Sequence, residues 1–369
     1  MTLHEELARR ALPPILTMND GSPVTRENWP LRREEMMEAL MTYSYGRTPP
    51  APLRVWGEPL PAPNEFTDTC AGKVRQEKIR LSFRTERGVC AFPFALSIPR
   101  RVEKPPVFLN LAFRPDIPDR YLPLEEITDA GWAVATVCYQ DMVNDNHFGD
   151  FSGGIAAHFG TTATRGPEEW GKIGMWAYGA SRVLDYLLTR SDIDAAHTAV
   201  IGHSRLGKTA LWTAAQDERF FAAVSNDSGY GGAATSKHGQ GERVRDFLRA
   251  GSWDWYCENF KQFIDEKEDA KPYDQSWLLA LIAPRLLCVG SAAEDRGADP
   301  LSECLTTLWA SQAWTLLGRP GLVAPGRLPA PGDAFQEGCV SYHLRPGKHF
   351  LSREDWNRYI HFLNGKLGR

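Results

Sequence analysis

One stretch of the chain, TAVIGHSRLGKTALWTAA, ends an apolar run in Gly202-His203-Ser204-Arg205-Leu206-Gly207 and passes at once into an Ala-rich segment. A serine on a sharp turn between strand and helix can attack a carbonyl carbon. The turn holds its hydroxyl clear of the sheet, and the helix start offers backbone N–H groups and a positive dipole end to a developing oxyanion. Gly202 relieves crowding where strand and helix approach. Two readings of Ser204 stand side by side: a nucleophile, or a side-chain cap of the helix. Arg205 and Lys208 favour the first, because each cation at the positive end of a helix costs up to about 1 kcal/mol unless it meets a negative charge. The alternative is that both are solvated surface cations. The spacing departs from G-x-S-x-G, with Leu206 at the second glycine position and Gly207 one residue later.

A serine nucleophile needs a base, and the base needs a carboxylate to hold its tautomer. In α/β-hydrolases these follow in the chain order serine, acid, histidine, each on a loop after a strand. The run RLLCVG is followed by SAAEDRGADP, which offers Glu294, Asp295 and Asp299; Glu294 is slightly preferred over Asp295. Asp227, in SNDSGYGG after the strand that follows the nucleophile helix, is a third option. His349 lies past a Pro-Gly turn in CVSYHLRPGKHFLSREDW, whereas His343 sits inside the alternating run and reads as a strand residue. The remaining histidines, at positions 4, 147, 158, 197, 238 and 361, are assigned structural roles.

These residues need a scaffold that brings strand ends together. VFLNLAF, WAVATVCY, TAVIG, FAAVS and RLLCVG are short, nearly continuous apolar runs, the pattern of parallel strands buried on both faces. Between the second and third, Ile173, Trp176, Ala180, Val183, Leu184 and Leu187 recur at helical spacing and predict a crossover helix. Alternating strands and helices imply a doubly wound, mostly parallel sheet with helices on both faces. In such a sheet ligand chemistry lies at the carboxyl ends of the strands. VRQEKIRLSF and VCAFPFALSIP alternate as an antiparallel edge hairpin with TERG as its turn. The Pro-rich and charged first 72 residues, with a short helix near Arg32 to Tyr43, are expected to form an arm packed on a catalytic domain of residues 73–369.

The 369 residues are 43% hydrophobic and 24% charged, as in a globular protein with a sizeable core. A formal net charge of −4 gives no general pull toward nucleic acid or an anionic membrane. No segment is apolar enough to span a bilayer, so neither nucleic acid nor membrane is expected as a partner. The N-terminus lacks a continuous apolar leader. The expected compartment is therefore the cytoplasm, or the periplasm or exterior if a leader once preceded the chain. Seven cysteines, odd in number and without CxxC pairs, read as free buried thiols rather than a disulfide framework or zinc site.

Together IGHSRLGKTALW, SNDSGYGGAA, WYCENF, SAAEDRGADP and RPGKHFLSREDW resemble the bacterial glucuronoyl esterases, carbohydrate esterase family 15, over residues 29–362. That family's elbow is G-x-S-R-x-G-K, which accounts for the displaced glycine. The resemblance implies Ser204 and His349 as nucleophile and base, Arg205 as an oxyanion contact, and Lys208 and Glu258 as contacts to the uronate. It implies an α/β-hydrolase fold and hydrolysis of an ester of glucuronic acid, carried on a carbohydrate, without metal or organic cofactor. It leaves the acid open, because members place it either at the position of Asp227 or on the loop of Glu294. Many members carry a tryptophan in W-A-D-P where this chain has Gly297-Ala298-Asp299-Pro300, so the resemblance does not carry the tryptophan's stacking on the sugar over to this chain. The alternatives are an esterase of acetylated sugars using the same triad and, from another class, a carbohydrate-binding relative without activity.

Overall fold

The computed structural model describes residues 2–61, 69–146 and 149–369. His147, assigned a structural role above, and positions 62–68 of the expected arm lie outside the described residues. Among the described residues, one sheet contains the strands β1 (Val55–Pro59), β2 (Val74–Thr85), β3 (Gly88–Pro99), β4 (Pro106–Ala112) and β5 (Ala133–Cys138), followed by β6 (Asp194–His203), β7 (Ala222–Asn226), β8 (Leu286–Ala292), β9 (Ala334–Phe335) and β10 (Val340–Arg345). Their order is β1-β2-β3-β5-β4-β6-β7-β8-β10-β9. From β5 to β10 neighbouring strands are parallel, while β1, β2 and β3 at one edge and β9 at the other pair antiparallel. This is the α/β-hydrolase arrangement, and the apolar runs in the sequence mark its central strands. Every residue of β4, β5, β7, β8 and β10 is buried, because helices cover both faces.

The crossover helix spans Lys172–Leu187 and the nucleophile helix Arg205–Gln216, and the two pack against each other. The hairpin of β2 and β3 runs in register from Val74↔Pro99 to Thr85↔Gly88, as the alternation predicts.

The first residues hold more structure than their composition signals. A helix over Leu3–Arg10 starts with a capping box between Thr2 and Glu5. Its buried face carries Leu3, Glu6 and Arg10, and the two charges meet at 3.1 Å. Arg10 also donates to the carbonyls of Lys237 (3.1 Å) and His238 (2.8 Å) and to Ser302 Oγ (3.1 Å), on elements more than two hundred residues away. The expected helix near Arg32 runs over Trp29–Leu40 and continues as a wider turn through Tyr45. Residues 55–59 are hydrogen-bonded into the sheet as β1. All seven cysteines are free, six buried and Cys70 partly so. No helix among the described residues is long and apolar enough to cross a membrane.

Candidate active site

Ser204 sits where β6 turns into its helix, with φ 57° and ψ −128°. Few residues with a side chain adopt such a conformation, and one that does is held there by its surroundings. Two contacts hold this turn. Ser204 N donates to Asn226 O at 2.9 Å, and a Cβ added to Gly202 would lie 2.0 Å from Leu206 O. Only glycine therefore lets strand and helix approach so closely. The Ser204 side chain makes no capping hydrogen bond to the helix, so the capping reading fails on geometry.

The registers Gly202↔Ser225, Asn226↔Gly290 and Ala292↔Arg345 align the carboxyl ends of β6, β7, β8 and β10. Each end passes into a loop carrying one of the singled-out residues: Ser204, Asp227, Asp295 and His349. The His349 ring is half-exposed and its Nδ1 is 2.5 Å from Asp295 Oδ2. Its centroid is 4.4 Å from that of His203, the residue before Ser204. His203 is buried against Asn226 Oδ1 at 2.7 Å, and burial, helped by the nearby His349, pushes its pKa down to about 3. A neutral imidazole thus floors the site at any physiological pH.

The geometry brings Asp295, and not the slightly preferred Glu294, to His349. Glu294 is exposed, its backbone N–H donating to Gly347 O, while the next residue turns inward to His349. The reason is a tight turn in which Asp295 Oδ1 also accepts the Ala298 N–H at 3.2 Å; a side chain one methylene longer does not close such a local ring. Burial works to raise the Asp295 carboxyl, but the hydrogen bond and charge of His349 outweigh it and hold the pKa below the ordinary range. Asp227 is close by, with one ligating atom each from Asp227, Asp295 and His349 lying within 4.8 Å of one another. Its own oxygens are occupied by Ala292 N (2.7 Å), Phe350 N (3.3 Å) and Arg345 Nη2 (3.3 Å). A metal ion held by this trio would have to compete with the Arg345 guanidinium and with the His349–Asp295 bond. Burial, followed by the charges of Glu303 and Asp355, raises the Asp227 carboxyl well above its usual range. Asp299 caps the helix Pro300–Ala310 instead of facing the histidine, and His343 is a buried strand residue 2.8 Å from Asp355.

Both cations at the helix start meet a carboxylate. Arg205 Nη1 donates to Asp145 Oδ2 at 2.7 Å, and its guanidinium lies 4.4 Å over the Trp255 ring. Trp255 itself donates to the other oxygen of Asp145 at 3.0 Å. Arg205 is thus clamped with a third of its side chain exposed, ready to donate elsewhere. Lys208 is buried, donates to Ser228 O at 2.5 Å and lies 3.7 Å from Glu242 Oε2; burial lowers its pKa, with Glu242 opposing. Glu258 opens the turn Glu258–Phe263 and pairs with Lys261 (2.5 Å) and Arg165 (3.3 Å). Sequence reasoning passed over Asp145, Trp255 and Glu242. Trp255 lies in the quoted WYCENF, but nothing distinguished Asp145 among the acids of DMVNDNHFGD.

A family model described as "Glucuronyl esterase, fungi" matches residues 128–318. A carbohydrate esterase from an unknown prokaryotic organism is 33% identical over 97% of this chain and 90% of its own length. The chain belongs to the glucuronoyl esterase family. The 4-O-methyl-glucuronoyl methylesterase of Schizophyllum commune is 29% identical over 74% of this chain and 65% of that protein. The solved glucuronoyl esterase from Solibacter usitatus superposes with a TM-score of 0.86 at 31% identity, covering 96% of this chain and 97% of the other. At position 297 this member of the glucuronoyl esterase family carries glycine. Among the described residues beyond its chain neighbours, a Cβ there would meet only Asp295 Oδ1, at 3.6 Å.

Proposed function

We propose that this protein hydrolyses esters of glucuronic acid borne on carbohydrates, through an acyl-enzyme on Ser204. The observation that carries the reading is the 2.5 Å bond between His349 and Asp295 on the loops adjoining the Ser204 turn. Ser204 Oγ attacks the ester carbonyl carbon as its proton passes to His349 Nε2, and Asp295 holds Nδ1–H and balances the imidazolium. The tetrahedral oxyanion is met by backbone N–H at the helix start and by the Arg205 guanidinium. The carbon–oxygen bond to the alcohol then breaks, and the alcohol leaves with the proton from His349. Water, deprotonated by the same imidazole, attacks the acyl-enzyme and releases the uronic acid and free Ser204. Lys208 and Glu258 are assigned to the sugar ring. The glucuronoyl methylesterases among its relatives support this choice of acyl group over acetate.

The test is hydrolysis of benzyl glucuronate against an aryl acetate by the wild type and by Ser204→Ala. Preferential cleavage of the uronate ester, with a dead serine variant, upholds the proposal. Cleavage of acetate alone removes the substrate assignment and keeps the triad. Cleavage of neither leaves a carbohydrate-binding relative as the reading.

A further inference from the structure

The cation next to Ser204 is held from inside the molecule. The crossover helix begins at Lys172, whose side chain is fully buried at the positive end of the helix dipole. A cation is unfavourable there unless carboxylates surround it. Lys172 Nζ lies 2.8 Å from Asp254 Oδ2 and 3.5 Å from Asp145 Oδ1. Asp254 Oδ2 also accepts Gly149 N at 2.8 Å, and the side chains of Asp145 and Asp254 are 5% and 1% exposed. Charges therefore alternate along a buried chain, from Arg205 at the cleft through Asp145 and Lys172 to Asp254. Arg205 alone of the four reaches solvent to any extent, with 32% of its side chain exposed. Its Nη1 is spent on Asp145, while its Nε is buried without a hydrogen-bond partner among the described residues. The loop after β5, the start of the crossover helix and the turn Trp253–Trp255 are thus brought together behind one guanidinium.

We propose that Asp145 and Lys172 are positioning residues for the oxyanion step. Asp145 holds the Arg205 guanidinium in place before attack, and Lys172 offsets the charge that Asp145 brings. This rests on the ester-hydrolysis reading above, with Arg205 as an oxyanion donor. An arginine side chain has many rotamers, and a donor that must find its place during the reaction stabilises the transition state less than one already aimed. Asp145 fixes the guanidinium fork at one end, and the Trp255 ring, 4.4 Å away, fixes its plane. A carboxylate serving Arg205 alone would also cancel much of its positive field. Here the second Asp145 oxygen faces Trp255 Nε1 and Lys172, so its charge is divided and more of the Arg205 field is left for the oxyanion. Both residues act through Arg205, since their side chains are too deeply buried to touch a substrate.

The experiment measures kcat and KM on benzyl glucuronate for wild type, Asp145→Ala, Asp145→Asn and the charge-balanced double variant Lys172→Met with Asp254→Asn. Each is made with and without Arg205→Ala, and thermal midpoints are measured alongside. Asp145→Ala is expected to lower kcat about thirtyfold with KM within about threefold, the rate equivalent of the rotamer freedom that an unheld arginine keeps. The double variant should lower kcat about tenfold, and Asp145→Asn, which keeps an acceptor oxygen, should lose less than Asp145→Ala. In the Arg205→Ala background none of them should lower kcat by more than about a further twofold, because no guanidinium is left to position. Equal losses in both backgrounds overturn the proposal, since the residues would then act on the fold at large. So does a kcat within twofold of wild type for Asp145→Ala, or for Arg205→Ala itself. If Asp145→Ala does not fold, Asp145→Asn decides by the same comparison. A wild type active on an aryl acetate alone removes the uronate reading, and the same cycle run on the acetate then decides the positioning role. Inactivity on both esters removes both.

Discussion

Replacing Asp295 by asparagine keeps the shape of the site and removes one charge. The bond it breaks is the 2.5 Å contact to His349 Nδ1, made by a carboxylate that is largely buried. During attack the imidazole becomes a cation; two unit charges about 4 Å apart at an effective dielectric of about 20 attract by about 4 kcal/mol. Each 1.36 kcal/mol is a factor of ten in rate, so the charge alone accounts for roughly a thousandfold. An asparagine amide facing Nδ1 also favours the wrong tautomer, so the thousandfold is a lower bound. Asp227 does not compensate, because its oxygens are held by Ala292, Phe350 and Arg345. The expected result is a drop in kcat of at least about 10³ for Asp295→Asn, with KM little changed. Glu294→Gln, at an exposed position, should stay within about twofold. The assay is initial rates on benzyl glucuronate with saturating substrate, with circular dichroism to confirm folding. If Asp295→Asn keeps a tenth of wild-type turnover while Glu294→Gln or Asp227→Asn loses the thousandfold, the assignment of the acid is wrong.

Arg205→Ala should fold normally and lose about a hundred- to a thousandfold in kcat, the usual cost of one oxyanion donor. Near-normal turnover would remove Arg205 from the reaction. Glu303, fully buried and accepting from Ser291 Oγ (2.6 Å) and Gly229 N (2.9 Å), has its pKa pushed up to about 7 by burial. Its folded pKa is raised, so its contribution to stability is whole below about pH 4.5, the ordinary value, and is lost as pH rises through 7, about 3 kcal/mol in all. The midpoint of wild type relative to Glu303→Gln should therefore fall between pH 4.5 and 7 and level off above 8. A difference constant across that window would refute the buried neutral acid.

The parts of the fold legible in the sequence are those where burial acts on whole segments. The central strands are covered on both faces and read as apolar runs, and the crossover helix, though buried nearly all round, keeps its large apolar residues at period 3.6. The Leu3–Arg10 helix escaped because two of its three buried residues, Glu6 and Arg10, are charged and buried only through each other and distant carbonyls. β1 escaped because VWGEP lies among prolines and pairs only with the edge of β2. Ser204 and His349 could be singled out from chain order and turn chemistry. Glu294 and Asp295 could not be ranked the same way, since adjacent residues in one turn differ only in where the backbone points them. The clue was present in Asp-Arg-Gly, where aspartate can close a ring on a following N–H. The partners of Arg205 and Lys208 come from loops 60 and 34 residues away, and no local pattern marks such meetings.

The Arg10 bonds have a practical meaning for anyone handling this protein. The first helix reaches across the molecule to Lys237, His238 and Ser302, and so fastens the loop around His238 and the helix that follows the turn of Asp295. The last of these contacts can form only after residue 302 has left the ribosome. Removing Arg10 would release all three of these contacts at once.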